Sequence, residues 1–130
     1  MDRDNRWERV ELAYNAMVFG NSDQETSNIE MAITKAYESD ISDEFIRPNV
    51  IKQYSGIKEN DGFFCLNFRA DRVRQILSAI GDPNFLDLKI RNRPMLTNLL
   101  GMVEYSDAHN TFMSSCYPKP KFKNTLGEWV

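Results

Sequence analysis

Apolar positions along the chain recur with two periods. Trp7, Val10, Tyr14 and Met17 fall at helical spacing, with Glu8, Arg9, Glu11 and Asn15 mostly elsewhere on the wheel. This predicts a first helix capped by Asp4 or Asn5 and stopped by Gly20. A second helix is expected from about Ser27 to Glu38, with Ile29, Ala32, Ile33 and Ala36 on its core face. Ser27 and Glu30 there read as a capping box, each side chain satisfying a free backbone N–H. A third helix is expected over about Asp71 to Ile80, with Val73, Ile76, Leu77 and Ile80 aligned, ended by Gly81-Asp82-Pro83.

Shorter apolar runs read as strands. After the Asp61-Gly62 turn, Phe63 to Phe68 is a nearly continuous apolar stretch, the pattern of an interior strand covered on both faces. Leu99 to Tyr105 is similar, and Phe112 to Tyr117 and Val50 to Tyr54 are weaker candidates. Strands alternating with amphipathic helices predict an α/β fold, a layered sheet flanked by helices. Trp7, Tyr14, Tyr37 and the phenylalanines fall at core positions, so packing explains them better than stacking on bases. Pro118-Lys119-Pro120-Lys121 predicts a stiff, extended linker carrying part of the basic tail. A last helical turn capped by Asn124 or Thr125 breaks off at Val130, too short to persist alone, so the chain is expected to be part of a longer one.

Composition narrows the function classes. The 130 residues suit one domain, and 16 Lys and Arg against 19 Asp and Glu leave a net charge of -3. That balance argues against a bulk grip on nucleic acid or a membrane surface. With no signal peptide at the amino end and no apolar run long enough to span a bilayer, a cytoplasmic protein is expected. Cys65, inside Phe63-Phe64-Cys65-Leu66, reads as a small buried apolar residue, and no cysteine pair has zinc spacing. His109 has no nucleophile motif beside it and reads as a loop histidine.

The most informative stretch is Asn67-Phe68-Arg69-Ala70-Asp71-Arg72-Val73-Arg74, where a strand gives way to a helix. Ligands of open α/β sheets gather outside the carboxyl ends of strands, where helix N-termini present free N–H groups. Arg72, expected in a first helical turn, opposes the helix dipole, and Arg69 beside it adds like-charge repulsion. An anion between them relieves both costs, since guanidinium forks match phosphate or carboxylate oxygens in pairs. Neutralisation by Asp71 with the other arginines solvated is the equal alternative. Arg74 reads as an ordinary surface residue. Arg3 precedes the first helix in the same way, although Asp2 and Asp4 can neutralise it. Two carboxylates alone are weak grounds for a metal site.

At these segments the chain resembles the cofactor-independent, 2,3-bisphosphoglycerate-independent phosphoglycerate mutases. Four blocks carry the resemblance: Met1-Asp2-Arg3-Asp4 with Arg6-Trp7 and Arg9; Asp43-Glu44-Phe45-Ile46 with Pro48, Val50 and Ile51; Asn67 to Arg72 with Gln75; and Asn124 to Glu128. The resemblance implies an isomerase of glycolysis and gluconeogenesis that interconverts 3-phosphoglycerate and 2-phosphoglycerate through a phosphoserine. It implies an alkaline-phosphatase-superfamily domain interrupted by an inserted α/β domain. Residues 1–118 would be the later part of that inserted, substrate-binding domain, and residues 119–130 the hinge and start of the return. Arg3, Arg69 and Arg72 would bind substrate, with Asp71 orienting them. Two manganese ions and the serine would belong to parts of a monomeric parent outside this chain. No catalytic or metal residue would lie within it, and the chain by itself is expected to be inactive. Trp129 and Cys116-Tyr117-Pro118 depart from the family pattern near the hinge without touching the arginines. The rival expectation is a non-enzymatic module that binds phosphate or carboxylate.

Overall fold

The first helix of the computed structural model, which describes residues 4–90, 92–120 and 122–123, is α1 at Trp7–Phe19. It stops on Gly20 in the left-handed region (φ 62°), whose N–H reaches back to the Asn15 carbonyl. Its start differs from expectation. Arg6 holds the cap position and makes no side-chain capping bond. Asn5 sits at φ 59°, and its Oδ1 accepts instead from Gln75 Nε2 at 2.8 Å. A tertiary partner has taken the oxygen a local cap would have used.

Strand β1 (Glu25–Thr26), helix α2 (Ile29–Glu38) and strand β2 (Val50–Ile51) form a small parallel β-α-β unit, with Glu25 opposite Val50. The cap of α2 is Asn28 rather than Ser27, its Oδ1 accepting from the Glu30 N–H at 2.8 Å. The expected core face of α2 is not a core. None of its residues is buried, and Ile29, Met31, Ile33 and Tyr37 are exposed. Two-residue strands offer too little surface to cover a helix.

The main sheet orders β3 (Gly62–Cys65), β4 (Asn98–Val103) and β5 (Ser114–Tyr117), all parallel. Helix α3 (Arg74–Gly81) crosses from β3 to β4. The expected interior strand over Phe63–Phe68 is corrected in length and place. It ends at Cys65 and is an edge strand among the described residues; Phe64 and Leu66 are exposed, as is Phe68 at 76%. Cys65 is only partly covered for the same reason. The interior strand is β4, where Leu99 and Gly101 are buried.

Helix α3 is the middle of the stack. Ile76, Ala79 and Ile80 meet Val10, Tyr14 and Val18 of α1, while Val73 and Leu77 meet Leu99 and Tyr105 on the sheet side. One broad apolar stripe of α3 serves both contacts, while Arg74, Gln75 and Ser78 keep the remaining side polar. Tyr14 is in the core, but Tyr37, Phe45, Phe68 and Phe122 are exposed, which corrects their assignment to it. No helix among the described residues is long and apolar enough to cross a membrane. Arg3, Lys121 and the closing segment 124–130 lie outside the described residues.

Candidate functional site

Parallel pairing brings the carboxyl ends of β3 and β4 to one edge, and a buried tyrosine stitches them together. The Tyr105 hydroxyl donates to the Asn67 carbonyl, and more weakly to that of Cys65 at 3.3 Å. Arg74 is exposed, as its position suggests, and its Nε donates to the Tyr105 carbonyl at 3.0 Å, which ties the start of α3 to the segment after β4. His109 is buried rather than a solvated loop residue. Its Nε2 lies 3.1 Å from the Arg74 carbonyl, which can only accept, so Nε2 carries the hydrogen; Nδ1 then accepts from Ser106 Oγ at 2.7 Å. The segment 67–74 is thereby held from below.

Burial, then the neighbouring Cys65, pushes the Tyr105 phenol well above its ordinary value of 10.0. The folded state keeps the phenol proton after the unfolded chain has lost it. The associated stability is therefore complete below about pH 10 and falls as pH rises through the folded value. Tyr105→Phe is expected to lose about 1–2 kcal/mol at pH 8, because the carbonyls are left without their donor. It is also expected to show a shallower decline above pH 10. Urea melts at pH 8 and pH 11 measure both, and parallel declines in the two proteins would rule out this role for the phenol.

Arg72 precedes α3 rather than standing in its first turn: residues 71–73 form a turn and Val73 is the cap position. Its Nη1 pairs with Glu44 Oε1 at 2.7 Å. Glu44 belongs to a 3-10 turn at Asp43–Phe45 in the connection from α2 to β2. The hydrogen bond to Glu44 and then its charge raise the Arg72 pKa further; Asp71 and Asp4 add to this at longer range, so the guanidinium stays charged. Arg72 makes no other hydrogen bond among the described residues, which leaves Nε and Nη2 for a ligand.

Arg72 and Glu44 sit on the wall of a cleft of about 930 Å³ between α1 and the β1–β2 unit. Its polar wall carries Asp4, Arg6, Arg9, Arg47, Glu44 and Arg72, and its floor includes Met17, Ile46 and Tyr54. Four guanidiniums face two carboxylates there, although the chain as a whole is acidic. Arg47 is partly engaged by Asp23 at 3.3 Å. The Asn5–Gln75 bond joins the lead-in of α1 to the first turn of α3, next in sequence to Arg6, which lines this wall. Four arginines on one wall give the cleft the fork-shaped donors that an anion would need.

The expected residues divide. Arg72 reaches the cleft. Arg69 is exposed on the turn before it, its N–H donating to Asn67 Oδ1 at 2.9 Å, and it is not among the lining residues. Asp71 acts on Arg72 only through space. Glu44, Arg6, Arg9 and Arg47 went unassigned because nothing local links them to residue 72; the Asp43-to-Ile46 block was the one signal for Glu44. The described residues bring together no group of three His, Cys, Asp or Glu fit to hold a metal ion. What the cleft can do chemically is bind and orient an anion.

Residues 1–107 match the family model described as BPG-independent PGAM N-terminus. Over all 130 residues the chain is 55% identical to the 2,3-bisphosphoglycerate-independent phosphoglycerate mutase of Ruegeria sp. (strain TM1040), covering 26% of that protein. It is also 55% identical to the enzyme of that name from Agrobacterium fabrum (strain C58 / ATCC 33970), covering 25% of it. A crystal structure of Leishmania mexicana phosphoglycerate mutase at low cobalt concentration superposes with a TM-score of 0.78 and 28% identity, over 95% of this chain and 24% of that one. The chain thus spans about a quarter of the length of the curated relatives it matches.

Proposed function

Because the chain belongs to the 2,3-bisphosphoglycerate-independent phosphoglycerate mutase family, we propose that its arginine-bearing helix starts hold the phosphoglycerate while a phosphoryl group is moved between its hydroxyls. Arg72 carries this reading: its guanidinium is fixed on the wall of a large cleft with donors to spare. Arg69 and Arg3 complete the grip, and Asp71 helps to set their orientation. A substrate with one carboxylate and one phosphate needs several fork-shaped donors, and keeping it oriented between transfers is most of what catalysis of phosphoryl exchange requires.

The same proposal places residues 1–118 in the inserted substrate-binding α/β domain and 119–130 at the hinge and the return. It makes the parent a monomeric, cytoplasmic isomerase of glycolysis that interconverts 3-phosphoglycerate and 2-phosphoglycerate through a phosphoserine. Manganese is the metal assigned to that parent, on ligands outside this chain; the part played here is binding and orientation.

NMR titration of the 15N-labelled chain with 3-phosphoglycerate tests the reading. Shifts are expected at residues 67–74 and around Arg6 and Arg9, reduced several-fold in Arg69→Ala. Equal shifts in both proteins would remove Arg69 from the site, and no shifts in either would overturn the reading.

A further inference from the structure

Resting on the reading of Arg72 as a substrate arginine, we infer that Glu44 is a positioning residue that orients the Arg72 guanidinium for the anion. The pair joins segments far apart in sequence, a 3-10 turn and the lead-in to α3, on the wall of the cleft both residues line. Core packing does not account for it, since Glu44 is exposed and Arg72 half-buried. An exposed pair of this kind adds little to stability. What it does is choose a direction. A free arginine samples many rotamers, and a ligand must immobilise it on binding. Glu44 meets that cost in advance by fixing Nη1, and because one oxygen engages one nitrogen, Nε and Nη2 are left for the incoming oxyanion.

Two effects of Glu44 oppose one another, and this makes the inference decisive to test. As a mere neighbouring negative charge it repels phosphate, so its removal tightens anion binding. As a positioning group its removal weakens binding, because Arg72 is set loose. The 130-residue chain is titrated with 3-phosphoglycerate and with inorganic phosphate, following the Arg72 Nε–Hε resonance and the Kd. Glu44→Ala is expected to weaken 3-phosphoglycerate about five- to tenfold. Glu44→Gln, which keeps an acceptor, is expected to weaken it less, and Glu44→Asp to restore part of the loss. The Nε–Hε resonance of Arg72 is expected to sharpen in the Ala variant as the side chain gains freedom, with an unchanged melt showing that the fold is intact. Should Glu44→Ala prove insoluble, Glu44→Gln carries the same test.

Binding as tight as or tighter than wild type in Glu44→Ala and Glu44→Gln, with Arg72→Ala still losing affinity, overturns the positioning role alone. Equal binding in Arg72→Ala and wild type overturns the phosphoglycerate reading, and this inference with it.

Discussion

Gly56→Ala is expected to destabilise the chain by about 3 kcal/mol and to lower its melting temperature by about 10 °C. Two costs combine. Gly56 holds φ 83°, a region that penalises any side chain. A Cβ placed there would also lie 2.3 Å from the Val18 carbonyl oxygen and 2.7 Å from the Phe19 carbonyl carbon, both backbone atoms of α1 with no rotamer to change. The close approach is mutual, since a Cβ on Gly20 would meet the Gly56 nitrogen at 2.7 Å. The contact also matters to the site. Ile57 N–H donates to Val18 at 3.0 Å, and the Tyr54 hydroxyl donates to the Met17 carbonyl, so this loop clamps the end of α1. Tyr54 and Met17 both line the cleft. Pushing the loop away moves a wall of the cleft, so weaker phosphoglycerate binding is expected along with the lower melt. A melting curve superimposable on wild type would show that the loop does not press on α1 at Gly56.

Arg72→Ala is expected to weaken 3-phosphoglycerate binding by about tenfold to a hundredfold, the loss of one or two charge-assisted hydrogen bonds. Its melt should move little, because the fold loses a part-exposed pair with Glu44 and the packing of one half-buried stem. That separation of affinity from stability distinguishes a binding arginine from a structural one. Added salt should weaken wild-type binding more steeply than that of the variant, since fewer unlike charges remain to be screened. Isothermal titration at two ionic strengths measures both effects. A large fall in stability with little change in affinity would assign Arg72 to the fold instead.

Part of the candidate site was legible in the chain because it rests on local chemistry. The strand-to-helix passage over 67–74 and the arginines crowded into it are visible as residues, and Arg72 does reach the cleft. Its placement within the first turn of α3 was an error of boundary. Val73 rather than a polar residue occupies the cap position, so no side-chain signal marks where α3 begins. Asp71 was the natural choice of counter-charge by sequence distance, yet Glu44 makes the pair. Adjacent residues on a turn point apart, while a loop returning from α2 arrives face to face.

The apolar face of α2 shows the opposite limit. Its spacing is a proper helical stripe and the helix forms, yet nothing among the described residues covers it. Periodicity reports that a face is apolar; it carries no information about what lies against that face. The buried His109 was missed for a related reason. Its sequence neighbours are polar, but Ser106 and the Arg74 carbonyl satisfy both ring nitrogens, which makes burial inexpensive.

By itself the sequence determined the helices, the α/β class and the stop at Gly20, since each depends on spacing or backbone preference within a few residues. Only the tertiary structure decided that α3 lies between α1 and the sheet, that β3 is an edge among the described residues, and that Glu44 meets Arg72. Those outcomes depend on which distant surfaces exclude water together, and on which charges the finished chain brings within hydrogen-bond reach.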